Sequence, residues 1–182
     1  MPYVPLIRDY KPFYIQTSED LLAWDTTAYG LVAQAQPFPE NHEVKDPYKN
    51  DWKDEHGDDE YVEQMFFKAF EYTVKFFVKT YPDISNGKSA IAVMNGLRDS
   101  FRSKLVPGEF MIWDSWQEKG YQHVRYVKEE VEDRRVCDEY AWMIFSVTFK
   151  VNDPVTQMIL DNGAIVPVAP ILPFDDDIVV EE

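Results

Sequence analysis

The sequence predicts an α+β fold: a single domain in which a small mixed or antiparallel sheet is backed by one main helix, with extended N- and C-terminal arms. Three observations predict it. Between Phe66 and Tyr81, the residues Phe66, Phe70, Tyr72, Val74, Phe76 and Val78 alternate with Ala69, Glu71, Thr73, Lys75 and Lys79, as on a strand with one buried face. Ala90, Val93, Met94, Leu97, Phe101 and Leu105 recur at helical spacing. Ala141, Met143, Phe145, Val147, Phe149 and Val151 alternate with Trp142, Ile144, Ser146, Thr148 and Lys150, apolar enough on both faces for a strand well inside a sheet.

The first stretch also fits a helix, with Lys68, Glu71, Lys75 and Lys79 opposite Phe67, Phe70, Val74, Phe77 and Tyr81. Composition tips it toward strand, because Phe, Tyr, Val and Thr crowd the run and suit a pleated, half-buried surface. Asp83, Ser85, Asn86 and Gly87 then supply a turn, and the helix from Ser89 to Leu105 ends at Pro107-Gly108. Ala92, Gly96, Ser100 and Ser103 form a small-residue side that would admit a close neighbour or stay exposed. Arg98, Arg102 and Lys104 flank the stripe as candidate contacts to an anionic partner, or as ordinary surface bases.

Before this block, Pro2, Pro5 and Pro12 lie among Tyr3, Val4, Leu6, Ile7, Tyr10, Phe13, Tyr14 and Ile15, which favours an extended arm over residues 1–25. Ser18 to Trp24 fits one short helix capped by Ser18, and Thr26 to Gln34 reads as a strand. The core spans 26–154, with an acidic, aliphatic-poor insertion at 37–60. After the helix, Glu109 to Gln117 reads as a strand and Tyr121 to Lys128 as a weaker one, with the charged run Glu129 to Glu139 as a solvated hairpin tip. Asn152-Asp153-Pro154 stops the last core strand. The C-terminal arm, 155–182, places Ile165, Val166, Val168, Ile171, Leu172 and Phe174 between Pro167, Pro170 and Pro173, then ends in acids.

A chain of 182 residues, 45% hydrophobic and 15% aromatic, can bury a substantial core. Its net charge of -15 opposes a general grip on nucleic acid or on an anionic membrane. No apolar run is long enough to span a bilayer, and the single cysteine, Cys137, leaves no internal disulfide and fits a reducing compartment. The chemistry-bearing motifs are missing: no phosphate-binding loop, dinucleotide fingerprint, nucleophile elbow or cysteine pair with zinc spacing. His42, His56 and His123 are scattered, and the acids from Asp54 to Glu60 do not match a calcium loop. The expectation is a non-enzyme with no metal or other cofactor.

The order of elements, with its aromatic strand-helix junction and aromatic last strand, resembles the core of tail-terminator and neck proteins of tailed bacteriophages over residues 26–151. That resemblance implies a virion protein synthesised in a host cytoplasm, with copies forming a ring, commonly six-fold, that joins head connector to tail. Its implied partners are further copies, other neck, connector or tail-tube proteins, and DNA passing through without specific binding. The expected interface is Tyr3, Val4, Leu6 and Ile7, the small side Ala92, Gly96 and Ser100, and the C-terminal apolar residues. An acidic DNA mimic that occupies a basic site on a host enzyme, or a small enzyme or ligand-binding domain built around the aromatics, would also fit the composition.

Overall fold

The computed structural model describes residues 12–34, 38, 43–46, 48–50, 59–61 and 66–168. The elements form in the order β1 (Phe13–Thr17), β2 (Trp24–Asp25), β3 (Leu31–Ala33), β4 (Tyr48–Asn50), β5 (Asp59–Tyr61), β6 (Phe70–Thr80), α1 (Ala90–Leu105), β7 (Glu109–Asp114), β8 (Lys119–Val136), β9 (Ala141–Val151), β10 (Gln157–Asp161) and β11 (Ala164–Pro167). Among the described residues, nine strands make one sheet in the order β2-β1-β7-β8-β9-β6-β3, to which β10 and β11 attach through β8. Every pairing is antiparallel. The architecture is therefore α+β with a dominant antiparallel sheet and one main helix.

The alternation seen from Phe70 onward is the cause of β6. Tyr72, Val74, Phe76 and Val78 are buried, and each is paired in register with a buried residue of β9: Phe149, Val147, Phe145 and Met143. Phe66, expected on the same face, lies before the strand and is exposed. Helix α1 begins where Ser89 Oγ accepts the Ala92 N–H. It lays Ala90, Met94, Phe101 and Leu105 against the sheet, while Val93 and Leu97 are only partly covered. Phe101 sits edge-on to Phe76, with centroids 5.3 Å apart. The sheet curls until Phe13 of β1 meets Tyr72, Phe76 and Phe149, at centroid distances of 6.4, 6.2 and 6.3 Å. One aromatic core thus serves both ends of the strand order.

Several expectations are corrected. Residues Ser18–Ala23 form turns rather than a helix, because the Asp20 carboxylate takes the Thr17 N–H and Oγ1–H and closes the chain back on β1. Thr26–Tyr29 is a 3-10 turn capped by Asp25 and ended by Gly30 at φ 68, so only Leu31–Ala33 of that stretch is strand. The charged run from Glu129 is not a tip: β8 continues to Val136, paired with β9 throughout, and the reversal falls at 137–140. Backbone pairing with a well-anchored β9 makes this strand without an apolar face of its own.

The ends are also more folded than extended arms would be. Phe13–Thr17 pairs with β7 inside the sheet, and Gln157–Pro167 is a hairpin turned at Asn162-Gly163, with φ 48 and 83. Both turn residues sit in the left-handed region, as a tight hairpin requires. Met158 and Ile165 of this hairpin are buried. The acidic insertion departs and returns through backbone bonds at Glu43–Lys45 and Phe66–Lys68, and carries the short β4–β5 ladder. Phe38 within it is buried between Tyr72 and Tyr121.

Candidate assembly surfaces

Three buried polar side chains, Thr80, Tyr72 and Asp114, have partners inside the fold, Thr80 Oγ1 donating to Ala90 O at 2.7 Å. The Tyr72 hydroxyl donates to Asp114 Oδ2 across 3.3 Å. Burial first, then the adjacent Asp114 carboxylate, push the Tyr72 phenol far above its usual range, so it stays a neutral donor. Asp114 also accepts the Trp116 N–H, which closes the β7–β8 turn. Among the described residues, no group of three His, Cys, Asp or Glu side chains is placed to hold a metal ion. No described helix is long and apolar enough to cross a membrane.

A polar node forms at Asp20. Its carboxylate accepts from Thr17, from Trp24 Nε1 at 3.0 Å and from Lys104 Nζ at 2.6 Å, joining the β1–β2 connection to the end of α1. Partial burial opposes its charge, but the bonds from Lys104, Thr17 and Trp24 outweigh that and lower its pKa to about 2. The same bond raises the pKa of Lys104. Lys104, Ser100 and Ser103 line a groove of about 380 Å³ between α1 and Thr17-Ser18. This node was hidden in the sequence, where Asp20 fell inside the short helix read from Ser18 to Trp24.

The bases flanking the helix stripe are engaged within the chain. Arg98 Nε lies 3.6 Å from Glu129 Oε1, and Arg102 donates to Glu129 at 3.3 Å and to Asp99 at 3.0 Å. These bonds tie α1 to the outer half of β8. On the small-residue side, Ala92, Gly96 and Ser100 are exposed, and apart from its chain neighbours and the helix's own backbone no described atom lies within 4 Å of where a side chain on Gly96 would begin. Tyr3, Val4, Leu6, Ile7, Ile171, Leu172 and Phe174 lie outside the described residues. Of the remaining expected interface, Ile165 belongs to the chain's own core, Val166 is partly covered and Val168 is exposed.

Among the described residues, large apolar exposure also lies elsewhere. Leu21 and Leu22 stand at the apex of the β1–β2 connection, 92% and 58% exposed. Ala23 N–H donates to Gly163 O at 2.8 Å, so this apex abuts the turn of the β10–β11 hairpin. Register sorts that hairpin into an inner face of Met158, Leu160 and Ile165 and an outer face of Ile159, Val166 and Val168. Sequence reasoning missed Leu21 and Leu22 by folding them into a helix.

No protein-family model matches the chain, and no curated protein matches it. Among solved structures, the chain is similar to SPP1 Dit (gp 19.1), described as a paradigm of the hub adsorption apparatus in phages infecting Gram-positive bacteria. The TM-score is 0.52 at 15% identity, and the match covers 81% of this chain. The chain spans about half of that protein, 52% of its length. The likeness establishes a shared fold.

Proposed function

We propose that this chain is a structural protein of a phage tail, acting as a homo-oligomeric ring in contact with other tail proteins rather than as an enzyme. The observation that carries the reading is the fold shared with SPP1 Dit over 81% of the chain. Two physical features support it. Leu21 and Leu22 expose apolar surface that the chain's own core leaves uncovered, as a docking surface does. The charge of -15 suits a wall past which DNA moves without being held, since like charge opposes phosphate contacts.

The ring, with six copies expected, stands at one end of the tail. The description of Dit as a hub supports the adsorption end; the order of elements along the sequence supports the neck. Gold-labelled antibody against the chain, applied to virions of the phage that encodes it, tests both. Label at the distal tip supports a hub ring and label between head and tail supports a neck ring. Virions without label, together with capture of a host nucleic-acid enzyme, would overturn the reading in favour of an acidic inhibitor.

A further inference from the structure

The surface formed by the Leu21-Leu22 apex and the outer face of the β10–β11 hairpin needs an occupant. Leu21, Leu22, Ile159 and Val168 are 92, 58, 42 and 42% exposed, and the partly covered Val166 pairs with Ile159 on the same face. Apolar side chains gathered along one hairpin and its abutting turn are a docking surface in kind, unlike scattered single leucines. The chain itself supplies a segment of matching chemistry. Beyond Val168 come Ala169, Pro170, Ile171, Leu172, Pro173 and Phe174, uncharged throughout, before the acids begin at Asp175.

Direction decides whether this segment serves its own patch or a neighbour's. Val168 N–H donates to Gln157 O at 2.9 Å, so the chain leaves β11 past the start of β10. Leu21 and Leu22 abut the opposite end of the same hairpin, at Gly163. Ala169 and Leu172 each precede proline, a position that disfavours helical backbone. Pro170 and Pro173 offer no N–H, so side-chain burial, not ladder pairing, must hold the segment.

We propose that residues 169–174 of one copy dock on the Leu21-Leu22 and β10–β11 outer surface of a second copy. The proposal rests on the homo-oligomeric reading above and names the surfaces that join. Each copy then gives an arm and receives one, a head-to-tail contact that closes into a ring when the rotation allows. The acids from Asp175 onward end the docked segment because burying them would strand charge.

The test uses the full chain with Cys137→Ser, which removes its one thiol, carrying Leu22→Cys and Leu172→Cys together. Sedimentation comes first: a monomer at every concentration overturns both the ring reading and this contact. In an oligomeric sample, oxidised glutathione should produce a covalent ladder of dimers and higher species, at least tenfold above either single-cysteine control. Closure within one chain, or no link above the controls, overturns the arm exchange and leaves the ring reading standing. Two further variants check that the lesion is in assembly. A chain ended after Val168, and the Leu21→Ser, Leu22→Ser double variant, should each keep the unfolding midpoint and weaken self-association at least tenfold. Unchanged association in either overturns the proposal.

Discussion

β9 and the outer half of β8 are paired from Tyr126–Phe149 to Val136–Ala141, yet they stand in opposite environments. Most of β9 is buried, with β6 on its other side and α1 across its face, whereas Val131, Val136 and nearly all their neighbours in β8 are exposed. Register shifts interrupt β8 twice in this half, at Tyr126/Lys128 and Val131/Asp133, and charged side chains fill the run. Bulges and charge are what an unpaired sheet edge uses to discourage stray strand addition. A strand can therefore be made by pairing alone, while its stability is stored in the neighbour that reaches the core.

That difference can be broken most sharply at Phe145 and Val131, which face each other across the pair. Phe145→Ala removes a fully buried ring that packs on Phe76, and should lower stability by about 3 to 5 kcal/mol in denaturant unfolding. Val131→Ala, on the exposed partner, should stay within about 0.5 kcal/mol. Comparable costs at the two positions would show that the outer half of β8 is anchored by contacts beyond β9. The inner half of β8 offers the complementary variant. A Cβ at Gly120 would fall 2.3 Å from Ile112 O and 3.2 Å from Met158 Cβ, so Gly120→Ala should cost about 1 to 3 kcal/mol by forcing β7 and β10 apart.

Asp20 sharpens the comparison because it ties the β1–β2 connection, at one end of the strand order, to the end of α1. Asp20→Ala leaves the Trp24 and Lys104 donors without their acceptor and should cost about 1 to 3 kcal/mol. Its carboxyl is lowered from 3.8 to about 2, so the folded state favours the ionised form. The resulting stabilisation is complete above the ordinary value of 3.8 and is lost as pH falls through about 2. Asp153, partly buried but hydrogen-bonded by Gln122, Thr156 and Val155, is lowered to about 2 and adds a loss in the same window. The stability of Asp20→Ala should fall less between pH 4 and 2 than that of the unaltered chain; an equal fall would remove Asp20 from the acid response.

The same contrast explains what was legible in the sequence. β6, α1 and β9 announce themselves because each has a face committed to the core, and burial writes a period into the residues. The outer half of β8 commits no face, so its charged letters read as a loop. The C-terminal hairpin was concealed by its prolines, although Asn162-Gly163 between Met158-Ile159-Leu160 and Ile165-Val166 was a hairpin signal in plain view. Pro167 is tolerated because it closes β11 at the end of an outer strand. Phe38 could not be found by periodicity, being a lone aromatic that anchors the acidic insertion between two tyrosines. At the candidate interface, Val168 was legible as an apolar end, whereas Leu21 and Leu22 depended on a turn organised by Asp20.

The mass of the purified chain under native conditions tests the central claim most directly. Native mass spectrometry of the full chain, 21.4 kDa per copy, should give one closed homo-oligomer of fixed copy number, six expected, that persists on dilution into the micromolar range. A monomer across the whole concentration range would contradict the account, whatever the quality of the fold.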